Sequence, residues 1–341
     1  MVWRVVFLAG LFTLALPAHG HHSFAAFYDA SRVADVEGRV ESVRWSNPHV
    51  SIEMTRANDG VDERWTIEGD SINALQRKGV HVDSVKVGDR LRVQGALSRH
   101  GRPEIFAAVL YLQDGREVVL ADRIAVLLKI KTQPLSTGER ITETGGARSL
   151  EERRNGLFRV WSRNAIEGYP RPEKALRFTP EALAARAAWD PLTDDTGLRC
   201  IPQGMPGVIA NPYPIEFVAS GEEIVLRIEE WDTERTIHMA RNSAGDVAAT
   251  ALGYSVGHWE EATLVVRTTR IGWPYYDDVG TPQTEAMEVE ERFTLADNGS
   301  RLEYVQTAFD PSSFTEPAVL KGYFWLEAGA EIKPFNCQFA H

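Results

Sequence analysis

Cysteine is scarce in this chain: Cys200 and Cys337 are the only two among 341 residues. Neither has a histidine or a second cysteine at ligand spacing, which argues against a metal site built on both. Basic charge is also in deficit. Lys and Arg number 37 against 48 Asp and Glu, for a formal net charge of -11, and that excludes nucleic acid as the expected partner because phosphate binding needs a basic face. No apolar run after the first 16 residues approaches the length that spans a bilayer, so the mature chain is not expected to be an integral membrane protein. The common catalytic signatures are missing too. There is no Walker loop, no dinucleotide glycine fingerprint and no paired-cysteine metal motif, and Tyr254, Ser255, Val256, Gly257 has one glycine too few for a nucleophile elbow.

What is present begins with an address. Arg4 precedes an apolar stretch from Val5 to Leu16, and Ala18 and Gly20 are small residues at the spacing a signal peptidase requires. Residues 1–20 are therefore expected to be a signal peptide, with export to the periplasm or beyond. In that oxidising compartment Cys200 and Cys337 are expected to pair, which on the chain-entropy view stabilises the fold by roughly 5 kcal/mol. Cleavage after Gly20 makes His21 the terminus, where its α-amine and ring can hold one metal ion with His22 adjacent; cleavage after Ala18 puts His19 there instead. With His49, which follows the turn at Pro48, these nitrogens form a possible copper set, because imidazole and a terminal amine suit Cu(II). The alternative is that they are a junction remnant and a turn residue bonded to backbone.

The remaining length suits two domains, and hydrophobic and charged fractions of 43% and 25% are those of a globular protein. From Val36 to Trp45 the pattern has period two. Further strands are expected over 49–55, 63–68, 90–96 and 105–112, with Asn58, Asp59, Gly60 as a hairpin turn and a short helix capped by Ser71 and ended by Gly79. Three strands, a helix and two strands predict a small five-stranded barrel of the oligonucleotide/oligosaccharide-binding (OB) type over residues 21–119. His21, His22, Ser23, Phe24, then Val36, Glu37, Gly38, then Trp45, Asn47, Pro48, His49, with Asn73, Ala74, Leu75, Gly79 and Val87, Gly88, Asp89, resemble an exported family of unknown function from Gram-negative bacteria. The resemblance implies a periplasmic location and this fold, and no activity.

Residues 120–155 are expected to be a connector, with an apolar run at 124–130 that fits strand or helix and an exposed linker over 132–154. Thr179 and Pro180 open a helix through Trp189. Over 156–341, strands are expected at 156–161, 215–220, 223–231, 235–241, 258–269, 288–295, 301–309 and 320–326, separated by turn residues. The class is all-β with few helices: an antiparallel barrel or sandwich, with a lipocalin-like up-and-down barrel favoured. Gly253 to Glu260, together with Leu198 to Pro206 and Asn211 to Pro214, resembles a second uncharacterised bacterial domain. That family has Gly and Asp where this chain has Glu261 and Ala262.

Three sets of side chains in this second half can carry chemistry. Glu291 falls on the apolar face of its strand, where a carboxylate needs a partner, a proton or a cavity. With His238 or Arg235 it is either a general acid and base pair or a plain ion pair. His258 and Glu260 share one strand face, solvated or functional. The aromatic residues Trp231, Trp259, Tyr323 and Trp325 can line a cavity or fill a core. The expected function is a periplasmic binding protein holding a small apolar molecule in the second barrel, with copper possible at the N-terminus. The alternatives are an enzyme built on Glu291 and His238 or on His21, or a scaffold for an envelope protein.

Overall fold

The alternating pattern of the first hundred residues folds into a ring. The structure, a computed structural model, describes residues 24–58, 61–132, 140–141, 149–164, 166–241, 243–296 and 299–338; the expected signal peptide, His21 and His22 lie outside them. Strands β1 (Tyr28–Arg44), β2 (Ser51–Asn58), β3 (Val61–Glu68), β4 (Arg90–Ser98), β5 (Glu104–Leu112) and β6 (Glu117–Val119) pair in the order β3-β2-β1-β4-β5-β6. A parallel pairing of β3 with β5, through Ile67 and Ile105, closes five of them into a barrel. The helix Ile72–Arg77 lies between β3 and β4 in sequence, capped by Ser71 as expected, and Gly79 behind it takes a φ of 74°. A ring of five strands with a helix between the third and the fourth is the arrangement expected from the sequence. Inward residues such as Val36, Ile52, Met54, Ile67, Val93 and Ile105 build its core.

Two details differ from expectation. β1 starts at Tyr28 rather than Val36, because the register shifts between Asp29 and Val33 and the irregularity hides the period-two signal there. The run at 124–130 resolves to a helix, Asp122–Leu127. Part of the expected linker is also helical: Leu150–Asn155 follows Ser149, whose hydroxyl accepts from Glu152 N while Ser149 N donates to Glu152 Oε2. That reciprocal cap is readable in the sequence, but the surrounding Ser, Thr, Gly and Glu masked it.

The second sheet has ten strands: β7 (Val160–Trp161), β8 (Arg171–Pro172), β9 (Ile215–Ser220), β10 (Glu223–Ile228), β11 (Thr233–His238), β12 (Tyr254–Glu260), β13 (Thr263–Thr269), β14 (Glu288–Leu295), β15 (Arg301–Phe309) and β16 (Ala318–Trp325). Their order is β7-β9-β10-β11-β12-β13-β14-β15-β16-β8. The sheet curls until Ser162, just after β7, exchanges two backbone hydrogen bonds of 2.9 Å with Trp325 at the end of β16. Alternation along β14 and β15 sends Val289, Glu291, Phe293 and Leu295, then Leu302, Tyr304, Gln306 and Ala308, into the interior. The segment expected as one strand over 258–269 is a hairpin of β12 and β13, turning at Glu261, which has a φ of 51°. The antiparallel pattern also has one break: β11 and β12 run parallel through Ile237 with Ser255 and His238 with Val256. The helix Pro180–Ala188 forms under its Thr179 cap as the sequence indicates.

Cys200 and Cys337 form the expected disulfide, across a sequence separation of 137. Cys337 belongs to a C-terminal tail that crosses between the two sheets. Gln338 N donates to Asn47 O at 3.0 Å, and Asn73 Nδ2 donates to Pro334 O at 3.3 Å. Asn47 Nδ2 donates to Asn73 Oδ1 at 2.9 Å and to Phe335 O. The tail is thus bonded to the first sheet and covalently tied to the segment leading into the second.

Candidate functional site

β10 ends in a sharp corner. Trp231 and Asp232 both take left-handed φ, 61° and 51°, so four consecutive side chains leave in different directions. Glu229, with none of its surface exposed, reaches back to the first sheet and accepts from Arg77 on both carboxylate oxygens and from Lys333 N at 2.9 Å. Asp232 accepts from Phe335 N at 2.8 Å and holds the tail. Glu230 and Trp231 face a cavity of about 300 Å³ between the two sheets. That is the lower end of the size range of small-molecule sites.

Both halves of the chain contribute walls. His49, Lys78 and Phe106 come from the first sheet and its helix; Tyr213, Trp273 and Tyr169 come from the second half. The lining is mixed: more of its surface is apolar than polar, with charged side chains set among it. Seven of its side chains are carboxylates, and two, Lys78 and Arg123, are permanent cations. Lys78 is bound by Asp70 at 2.9 Å and by Asp122, and Arg123 lies 5.3 Å from the centre of the Tyr169 ring. Burial pulls the Lys78 ammonium down, but Asp70 and Asp122 outweigh it and its pKa is raised.

Glu230 is the residue at this site that the sequence reading passed over. It is 5% exposed and accepts a hydrogen bond of 2.5 Å from Asn211 Nδ2, which also donates to Gln203 Oε1 at 2.8 Å. No basic side chain is paired with it among the described residues. Burial pushes its carboxyl up to about 8, against the Asn211 bond and with a smaller push from Asp278. The same burial, with Glu230 as neighbour, holds the Tyr213 phenol well above its ordinary value. Trp273 Nε1 on the same wall is buried without a hydrogen-bond partner among the described residues, an orphan donor that an occupant can satisfy. The corner did leave a trace: Glu229, Glu230 and Asp232 break the alternation at the end of an apolar strand.

The residues singled out from sequence are scattered. Of the six expected ligand contacts, only Trp231 lines the cavity. His258 is 61% exposed and 3.3 Å from Glu260, which Arg292 also holds at 2.6 Å, so this pair is on a solvated face. Trp259 lies under Arg154, Tyr323 under Arg301 and Trp325 under Arg140. Of the two readings of Glu291, the ion pair with Arg235 forms and the acid and base pair with His238 does not. Glu291 is fully buried and bonded to Arg235 at 2.5 Å and to Tyr304 OH at 3.1 Å, while His238 points elsewhere, 2.7 Å from Glu223 and stacked on Tyr254. The inward step of the period-two pattern admits Arg235 to the interior and turns His238 to the other side.

His49 is on the cavity wall, 3.1 Å from Glu68 through Nδ1. Tyr28 OH donates to the other Glu68 oxygen at 2.5 Å. Among the described residues, no group of three or more His, Cys, Asp or Glu side chains is arranged to hold a metal ion. His21 and His22 lie outside those residues. Phe24 packs against Phe106 at 5.5 Å, and His49 packs against the same ring at 5.4 Å.

A two-sheet, all-β protein with an aromatic and acidic cleft between its sheets is the class this geometry defines. Residues 9–105 match the model of a family of unknown function (DUF6152), a span that ends at the start of β5 and agrees with the first resemblance read from the sequence. No curated protein matches the chain. No helix among the described residues is long and apolar enough to cross a membrane, and the disulfide is compatible with an extracytoplasmic protein.

Proposed function

We propose that the chain is an exported, periplasmic binding protein that takes a small ligand in the cleft between its two sheets. The small ligand expected within the second barrel is moved to this site, whose lining combines apolar and charged groups. The observation that carries the reading is the corner at Glu229 to Asp232, which joins the sheets with two of its carboxylates and presents Glu230 and Trp231 to a cavity walled from both sides. The second barrel offers less: Phe217, Phe293, Tyr304 and Phe324 pack ring to ring through its interior. Native mass spectrometry of protein isolated from its own host tests the reading. A bound small molecule is expected on the wild type and absent from Trp231→Ala; equal occupancy of the two overturns it.

Copper at the mature N-terminus is a second, separate proposal, favoured by the shared packing of Phe24 and His49 on Phe106. Three peptide steps from Phe24 to His21 reach at most about 10 Å. Titration with Cu(II) is expected to show tight binding that His21→Ala removes; retention of affinity in that variant refutes it.

A further inference from the structure

The charge of the cleft says what kind of molecule it takes, on condition that it is a binding site as proposed above. Its carboxylates outnumber its permanent cations by seven to two, and both cations are already engaged, Lys78 by two aspartates and Arg123 by an aromatic ring. An anion entering here meets that excess of carboxylates, and Arg123, stacked on a ring and without a carboxylate partner among the described residues, is the one cation left to receive it. Asp277 is paired with Arg186 at 2.8 Å, and Asp195 caps Gly197 N at 2.9 Å through one of its oxygens. Glu230 differs from these. It is buried, faces the cavity, has one neutral hydrogen-bond donor, and is not ion-paired among the described residues. Trp231, Tyr213 and Trp273 line the same cavity, and aromatic rings attract cations as well as apolar bodies.

We propose that the ligand is an organic cation: a small ammonium compound whose charged nitrogen is received by the Glu230 carboxylate and whose body lies against the aromatic wall. Each partner supplies what the other lacks, since a buried carboxylate gains a counter-charge and the ammonium is desolvated only where it is paired. A proton must leave for this to happen. The titratable groups facing Glu230 are Asp278, Tyr213 and Tyr169; Glu229 beside it belongs to Arg77, and Asn211, Gln203 and Trp231 are uncharged. None of these compensates a negative Glu230, so the empty site keeps its proton near neutral pH and a cation displaces it.

Isothermal titration at pH 7 with three near-isosteric probes tests the proposal: phenethylamine as cation, 2-phenylethanol as neutral body, 3-phenylpropionate as anion. Phenethylamine is expected to bind at least tenfold tighter than the alcohol, and its apparent enthalpy should differ between phosphate and Tris buffers because a proton is released. Glu230→Gln should remove that buffer dependence and lower phenethylamine affinity at least tenfold, with a smaller change for the alcohol. Asp278→Asn, further out, should lower it less. Equal binding of amine and alcohol, preference for the carboxylate, an unaltered Glu230→Gln response, or no binding by any probe overturns the cation assignment. If the alcohol alone binds and Trp231→Ala abolishes it, the cleft stands as a binding site and only its charge preference fails.

Discussion

Arg77 and Glu229 are 152 residues apart in sequence and form a two-pronged ion pair that joins the helix of the first sheet to the corner of the second. Glu229 has no exposed surface, so removing the arginine leaves a buried charge with only Lys333 N for company. Arg77→Ala is expected to destabilise the protein by roughly 3–5 kcal/mol in urea unfolding. Arg77→Met combined with Glu229→Gln should recover part of that loss. An Arg77→Ala effect below about 1 kcal/mol, the usual worth of a surface pair, contradicts this role.

The disulfide fixes the tail that passes between the sheets. Thiol labelling of denatured, unreduced protein should find no free cysteine. The double variant Cys200→Ser, Cys337→Ser should lose up to roughly 5 kcal/mol by the chain-entropy relation, and limited proteolysis should then cut within 327–338. Uncut tail in the double variant contradicts the idea that the bond, rather than the Asn47 and Asp232 contacts, secures it.

Glu230 makes stability depend on pH in a particular direction. Its folded pKa, about 8, is above its ordinary value of 4.5, so between these limits the folded state binds more protons than the unfolded one. Stability contributed by this group is complete below pH 4.5, falls as pH rises, and is lost by about pH 8, for a total of roughly 4–5 kcal/mol at most. Glu230→Gln cannot ionise. Its urea midpoint should overtake that of the wild type as pH is raised from 5 to 8.5, and parallel midpoints across this range refute the assignment.

Glu291 with Arg235 is assigned a structural role. Arg235 also holds Ser255 and Thr268 at 2.8 and 2.7 Å, so the group ties four strands together inside the second sheet. Arg235→Ala should cost roughly 3–5 kcal/mol, and His238→Ala, on the outside, under about 1 kcal/mol. Equal loss of stability in the two variants contradicts this structural assignment.

Periodicity made the strands legible, including the inward placement of Glu291, because burial imposes period two on any strand with one wet face. The two cysteines were legible because they are the only pair in the sequence and neither has a metal-ligand neighbour. The cleft was not. Its walls come from 28 residues spread between Phe24 and Asp278, and nothing in the local pattern of Asp70, Asn211 or Tyr213 announces that a tail carrying Cys337 will cross between the sheets beside them. Glu230 was hidden by the corner itself, since the strand was expected to continue to Trp231 and the left-handed turn there redirects the side chain. His49 and Trp231 were singled out for chemistry within separate halves, and the structure shows them on one cavity.

The most direct test of the central claim is crystallographic density for the protein isolated with whatever it binds in its host. The account predicts a small molecule between the two sheets, in contact with Glu230 and Trp231, and a filled interior around Glu291. Density enclosed by the second sheet beside Glu291, with only solvent next to Glu230, would contradict it.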